Sequence, residues 1–247
     1  MQKLMKYEFR KTMFSKVILL VITAISELAY LAGIFLKWEN GLMIGIVGLA
    51  LCGIIGIFYI GVESLIIFQK DLNTKQSYML FLVPRNSYQI LGAKVLENGI
   101  SIFITGAFFA ALAALDFTVG ILYIGGLKEF IDVVTRAFSY LSVQIQVDPV
   151  HMVLVLFSML TSWLMMIVIG NLAIVLSATV FSGKKFSGFI SFLLFLVISW
   201  ISGKGLDLIS QLASGRVSDV LVIAGGLVIL ACMYLLTGWI MEKKLSV

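Results

Sequence analysis

The chain has 247 residues, of which 61% are hydrophobic and 13% are charged, and its formal net charge is +5. A soluble domain has roughly 45–50% apolar and about 25% charged residues, so this composition leaves too few polar groups to cover a surface in water. The same numbers exclude a disordered chain, a disulfide-rich secreted scaffold and a nucleic-acid-binding domain, and they predict a membrane protein.

Six apolar runs are long enough to cross a bilayer as helices, which takes about 20 residues each. They cover residues 17–36, 42–68, 89–115, 151–181, 186–202 and 220–240. The two prolines, Pro84 and Pro149, each precede a run, so we expect the spans to be largely unbroken helices. The sequence therefore predicts one all-α transmembrane domain over residues 1–247.

The basic residues between the spans predict the orientation. Alternate segments, with Lys94 counted with the first group, divide the 18 lysines and arginines so that one side holds only Lys37, Lys128, Arg136, Lys204 and Arg216. Segments rich in Lys and Arg stay in the cytoplasm. Both termini are therefore predicted to be cytoplasmic, and the positive charge is explained by topology without a nucleic-acid partner.

The segment 1–16 has the pattern of an amphipathic helix. Apolar residues recur every four positions and basic residues occupy another face (Met5, Phe9 and Met13; Lys3, Lys6 and Arg10). This pattern predicts a lead helix on the inner leaflet, with its basic face toward anionic head groups. Alternatively, the segment is a basic lead that only sets the topology.

Two longer polar segments interrupt the spans. The outer segment, 116–150, contains apolar residues at helical spacing over about 127–142 and predicts an amphipathic surface helix, acting either as a lid or as a plain connector. The cytoplasmic segment, 69–88, is polar, then apolar from Tyr78 to Val83, then broken by Pro84. Such an apolar patch is too short for a span and is expected to be covered by the bundle or by another protein.

The end of the cytoplasmic segment reads Leu80-Phe-Leu-Val-Pro-Arg-Asn-Ser-Tyr-Gln-Ile-Leu-Gly-Ala-Lys94. With the basic amphipathic start and six spans, it resembles the permease subunits of type-2 ABC transporters, a family that includes bacterial exporters. In such permeases a short coupling helix is followed by a proline turn and by a Leu/Ile-rich helix start with a lysine. The family commonly has its outer element between spans five and six, whereas the longest outer segment here is 116–150, so the resemblance leaves the substrate open.

The resemblance implies a subunit that is not itself an enzyme and carries no cofactor. ATP and Mg would be held by a separate cytoplasmic ABC subunit, since the nearest match to a phosphate loop, Gly183-Lys184-Lys185, lacks the upstream glycine. It also implies a second permease copy, identical or similar, in a bacterial cytoplasmic membrane, and export of a hydrophobic or amphipathic substrate. The residues implied to contact the ATPase are Lys70, Asp71, Leu72, Thr74, Lys75, Tyr78, Leu80 and Phe81.

Glu27 lies near the middle of the first span, where a charge costs about 2.5–3.5 kcal/mol on insertion scales. It either lines the translocation path or the dimer seam, or it is a protonated or internally paired carboxylate that fixes packing. Thr23, Ser26 and Tyr30 are expected to share its face. Nearer the span ends, Lys94 and Glu97 are expected to pair at i, i+3.

Other functions are weaker interpretations of the sequence. Metal enzymes need clustered ligands, and His151 is the single histidine of the chain, so we expect no metal site. The main alternative is an ion-coupled secondary transporter in which intramembrane carboxylates carry the ions. A third is an assembly or immunity protein that occupies the membrane without transport.

Overall fold

The computed structural model describes residues 2–73, 86–124, 126, 149–180 and 187–244, and within these residues it contains six α-helices and no strand. The helices are α1 (Gln2–Phe35), α2 (Glu39–Asn73), α3 (Ser87–Ile124), α4 (Pro149–Val180), α5 (Ser187–Ser210) and α6 (Arg216–Lys244). The prediction of an all-α chain is confirmed. The predicted surface helix at 127–142 lies outside the described residues.

Each predicted span falls on one of the six helices, and all six are long and apolar enough to cross a membrane. Helices α1, α2 and α3 have 34, 35 and 38 residues. At 1.5 Å per residue each is more than about 50 Å long, whereas the hydrocarbon core of a bilayer is roughly 30 Å thick. These three helices therefore extend beyond the hydrocarbon layer. Helix α3 continues through Asp116, which was expected to begin the outer segment.

The outside of the helices is covered by large apolar side chains. Of the most apolar stretch of each helix, at most 28% of the residues are buried within the chain. Phe103 on α3 is 71% exposed and Leu212, just after α5, is 78% exposed. Such a surface is stable in lipid but not in water. The chain is a multi-pass membrane protein.

The lead segment 1–16 and the first span form one continuous helix, α1. No glycine or proline occurs between Gln2 and Ala32, so nothing in this stretch interrupts the backbone hydrogen bonds. The lead segment is helical, as its periodicity predicts. The structure differs from the expectation of a separate lead helix, because no break divides that segment from the span.

A tight turn joins α1 to α2. Lys37 has a positive φ of 50°, and the backbone N–H groups of Lys37 and Trp38 donate to the carbonyls of Ile34 and Gly33 at 3.3 and 2.9 Å. This bonding pattern closes the carboxyl end of a helix through one left-handed residue. The turn sends α2 back along α1, and it is short because its backbone groups bond to the last turn of α1.

The helices group into two compact units. The first unit draws on residues 1–8, 62–99 and 147–247, and the second on residues 9–61 and 100–146. Helices α1, α2 and α3 each contribute to both units, whereas α4, α5 and α6 belong to the first unit alone. Charged side chains fall into both units, so each is described separately below.

Helix α4 is the central helix of the first unit. It packs against α5 and α6, and the nine consecutive residues 167–175 are all buried. A helix that is buried on every side needs apolar residues on every side, and this stretch supplies them except at Gly170 and Asn171. Its last turns pack against Phe68 and Leu72 of α2 and against Met241 of α6.

We expect Met241→Ala to destabilise the protein, because Met241 is 0% exposed in this core. Truncating a buried methionine leaves a cavity and costs about 2–5 kcal/mol in packed cores. Thermal unfolding in detergent micelles measures the loss. The matched control is Leu235→Ala on the same helix, where the side chain is 59% exposed. Equal effects of the two substitutions would show that this core is not packed as described.

Candidate functional site

A buried lysine lies in the second turn of α3, in the first unit. Lys94 is 2% exposed, and its Nζ lies 2.9 Å from Asp71 Oδ2 and 3.0 Å from Glu8 Oε2. The ammonium also lies 5.2 Å from the centre of the Phe68 ring. One cation is therefore surrounded by a carboxylate of α1 and by a carboxylate and an aromatic ring of α2. We call Glu8, Asp71 and Lys94 the ion cluster.

The positions of these residues in their helices explain how they meet. Glu8 lies in the second turn of α1, and Asp71 is two residues before the end of α2. Lys94 is seven residues after the start of α3, on a face where Ile90 and Leu91 are also buried. The cluster therefore joins the beginning of α1, the end of α2 and the beginning of α3. The last two flank segment 74–85.

The energetics of the ion cluster are those of charges removed from water. Each ion loses several kcal/mol of hydration, and this loss is repaid only if the partners are close and well oriented. Contact distances of 2.9 and 3.0 Å meet that requirement. Removing Lys94 would take away the ammonium that lies between the Glu8 and Asp71 carboxylates, so we expect the geometry of the three helix ends to depend on this side chain.

The side chains that follow Lys94 attach α3 to α4. Glu97 and Asn98 are 3% and 0% exposed. Asn98 Oδ1 accepts a hydrogen bond from Trp163 Nε1 at 3.3 Å. We expected Lys94 to pair with Glu97 on its own helix; in the structure Lys94 bonds to Glu8 and Asp71, which come from other helices.

The residues that the resemblance implied for ATPase contact have different environments. Lys70 is exposed, Asp71 belongs to the ion cluster, and Leu72 is buried in the core with Phe68. In this structure Leu72 therefore stabilises the fold and Asp71 holds Lys94, which leaves Lys70 on the surface. The others, Thr74, Lys75, Tyr78, Leu80 and Phe81, lie outside the described residues.

A second polar group lies in the other unit, around Glu27 on α1. The Glu27 and Asp116 side chains are within hydrogen-bonding reach of each other, and Glu27 Oε2 is buried without a hydrogen-bond partner. Tyr30, which is 2% exposed, donates its hydroxyl to the backbone carbonyl of Asp116 at 2.7 Å. We call Glu27 and Asp116 the carboxyl pair. It lies inside the membrane-spanning helices α1 and α3.

Of the three neighbours expected for Glu27, Tyr30 is attached to Asp116. Thr23 and Ser26 instead donate their hydroxyls to backbone carbonyls one turn earlier, at Leu19 and Ile22. Such bonds within a helix are the usual way to satisfy a hydroxyl in a span. The partner of Glu27 is therefore an acid from another helix.

Sequence reasoning missed Glu8 and Asp116. One signal for Glu8 was present, since it is the only acid among the first 26 residues and lies within a strongly basic segment. An isolated acid in a basic segment is a candidate for an ion pair with a buried cation. Asp116 carried no comparable signal, because the apolar run ended at residue 115 and the sequence pattern assigned this acid to the following loop.

We expect Lys94→Met to destabilise the protein by about 3–5 kcal/mol, since it leaves two buried carboxylates without their cation. Thermal unfolding in micelles measures this loss. The control is Lys204→Met. Lys204 Nζ lies 3.7 Å from Asp207 Oδ2, and the two side chains are 63% and 65% exposed. For an exposed pair we expect a loss of less than about 1 kcal/mol.

The same experiment has a rescue arm. Adding Glu8→Gln and Asp71→Asn to Lys94→Met removes the two carboxylate charges that face Lys94 and is expected to restore most of the stability. A Lys94→Met protein as stable as the Lys204→Met protein, or a triple variant less stable than Lys94→Met alone, would contradict the account of the ion cluster.

Comparison with known proteins finds no match for this chain: no family model, no curated protein and no solved structure is similar to it. The assignment of a function therefore depends on the ion cluster, the carboxyl pair and the pattern of the sequence.

Proposed function

We propose that this chain is the membrane-spanning permease subunit of an ATP-driven ABC transporter, with ATP bound and hydrolysed by a separate cytoplasmic subunit. The observation that carries the proposal is the ion cluster. It joins the two helix ends that flank segment 74–85 to the beginning of α1. The substrate is a hydrophobic or amphipathic molecule, exported across a bacterial cytoplasmic membrane.

The physical argument concerns how work enters the chain. A permease without a nucleotide site has to receive its driving force through contact with a partner, and segment 69–88 resembles a coupling loop. Asp71 lies near the beginning of that segment and Lys94 lies six residues after its end. Lys94 Nζ donates a hydrogen bond to Asp71 Oδ2 at 2.9 Å. A push on the loop would therefore displace α2 and α3 together, and Glu8 would pass the displacement to α1. Rigid-body tilting of linked helices is one of the common ways to open and close a path.

The proposal includes a second permease copy. A small cleft with a volume of about 20 Å³ lies between α4, α5 and α6, with Ser158, Thr161 and Ser162 in its wall. Pockets for drug-sized molecules have volumes of about 300–1,000 Å³. A path for a cargo of that size therefore needs more room than this cleft offers, which supports a path shared between two copies in the bilayer.

Purification of the chain in mild detergent from its own host tests the partner. We expect an ATP-hydrolysing subunit to copurify, and we expect Lys70→Glu with Lys75→Glu to weaken its retention by more than about tenfold, because reversed charges repel at a docking face. The control is Lys204→Glu, an exposed lysine predicted to face the other side. Cargo transport by the purified chain in vesicles, without any ATPase, would overturn the proposal.

A second candidate function is favoured by the carboxyl pair. Two carboxyl groups this close inside a span would repel each other strongly if both were charged, and holding one proton between them would remove that cost. Such a pair can bind and release protons, which is what an ion-coupled secondary transporter needs. The chain would then use a proton gradient in place of ATP.

Uptake into vesicles with an imposed pH gradient and no nucleotide distinguishes the two candidates. For the ABC permease we expect no gradient-driven uptake, and ATP-driven transport that survives Glu27→Gln. For the secondary transporter we expect uptake that falls about tenfold or more in Glu27→Gln and Asp116→Asn. The control is Asp207→Asn, whose side chain is 65% exposed. Gradient-driven uptake lost in the carboxyl pair variants alone would replace the first candidate by the second.

A further inference from the structure

The carboxyl-terminal half of α6 is attached to the beginning of α3. The Tyr234 hydroxyl donates to the backbone carbonyl of Tyr88 at 2.7 Å, and the two rings lie 6.5 Å apart at 51°. Tyr88 is the second residue of α3 and follows segment 74–85. The first turn of α3 is therefore held against α6 by a hydrogen bond to the α3 backbone.

Gly238, one turn after Tyr234, faces the Tyr88 ring. A Cβ atom at position 238 would overlap the Cδ1 and Cε1 atoms of that ring. The ring is flanked by Tyr234 on the same face of α6, and the Tyr88 backbone is held by the hydrogen bond described above. The close approach of α3 to α6 therefore requires glycine at this position.

The same part of α6 is packed against the end of α2. Ile240 and Met241 belong to one buried cluster with Phe68 and Leu72 of α2. The end of α2 and the beginning of α3, which flank segment 74–85, therefore both pack against residues 234–241 of α6. None of the three residues of the ion cluster belongs to this buried cluster, and Phe68 connects the two because its ring also lies 5.2 Å from the Lys94 ammonium.

The other half of α6 reaches the cleft. Val222, Ile223 and Gly226 line it opposite Ser158, Thr161 and Ser162 of α4. Between Gly226 and Gly238 the helix is unbroken, a distance of about 18 Å along its axis. One rigid helix therefore connects the ends of α2 and α3 with a cleft whose wall carries three hydroxyl groups.

We propose that α6 is the element that transmits movement from the beginning of α3 to this cleft, and that Gly238 is its positioning residue. The inference rests on the proposed function, in which a partner displaces the ends of α2 and α3. It adds that the hydroxyl-lined cleft between α4, α5 and α6 changes its access to solvent when ATP is bound, because α6 forms one of its walls.

The test uses the full complex with its ATPase and a cysteine reporter in the cleft. Ser162→Cys is introduced after Cys52→Ala and Cys232→Ala, and its labelling rate with a water-soluble maleimide is measured with and without a non-hydrolysable ATP analogue. We expect ATP to change the rate by about five- to tenfold, within the usual range of coupling between sites. In Gly238→Ala the ATPase remains bound, but the difference between the two rates disappears.

The matched control is Gly203→Ala on α5, where an added Cβ would meet no atom within 4 Å. Its reporter should respond to ATP as in the parent. Tyr234→Phe removes one hydroxyl without changing the shape of the core, and we expect it to reduce the response; it decides the matter if Gly238→Ala fails to fold.

The outcomes separate the two proposals. If no ATPase copurifies, the proposed function fails and the inference with it. If the ATPase is retained while the reporter responds to ATP equally in the parent and in the variants Gly238→Ala or Tyr234→Phe, the role of α6 is contradicted and the proposed function stands. A reporter in the parent protein that does not respond to ATP contradicts the inference as well.

Discussion

The arrangement of helix ends in the first unit depends on a lysine ammonium that has been removed from water. The Lys94 ammonium loses its hydration shell on burial. Its contacts of about 3 Å with the carboxylates of Glu8 and Asp71 offset this loss. Because the strength of such contacts falls steeply when the geometry is imperfect, the three helix ends have little freedom to move separately. Buried charges of this kind contribute little to net stability, but they favour one arrangement of the helices over others. In this chain they fix the beginning of α1 against the end of α2 and the beginning of α3, which flank segment 74–85.

The remaining polar groups follow the rule that lipid imposes on backbone and side chains. A span offers no water, so several hydroxyls bond to carbonyls of their own helix, as Thr237 does to Met233 and Ser191 to Ser187, and the Tyr234 hydroxyl bonds to a carbonyl of another helix. The apolar exterior then needs no explanation beyond the solvent. What does need one is any polar group whose partner lies on another helix, and the ion cluster, the Asn98–Trp163 bond and the carboxyl pair are of this type.

These groups point to two different sources of energy. In the proposed ABC permease, the ion cluster lies beside the segment that a partner would displace, whereas the proton-driven alternative gives the cluster no role in carrying protons. The carboxyl pair lies inside the spans, where a proton can be held, and the Tyr30 hydroxyl donates to the backbone carbonyl of Asp116 and not to its carboxylate. The ATP-driven proposal uses the ion cluster and the resemblance of the loop together. The proton-driven alternative uses one pair of side chains.

Composition and hydropathy by themselves determined the class of protein, the number of spans and the position of each span on its helix, because the need for about 20 apolar residues is local along the chain. They also identified Glu27 and segment 69–88 as unusual. They did not reveal that α1 runs without a break, that α3 continues through Asp116, or that the helices form two units. The pairing of Lys94 with Glu8 and of Glu27 with Asp116 was decided by the tertiary structure alone. Partners that lie more than 80 residues apart leave no periodic trace in the sequence, since only the packing of helices determines which faces meet.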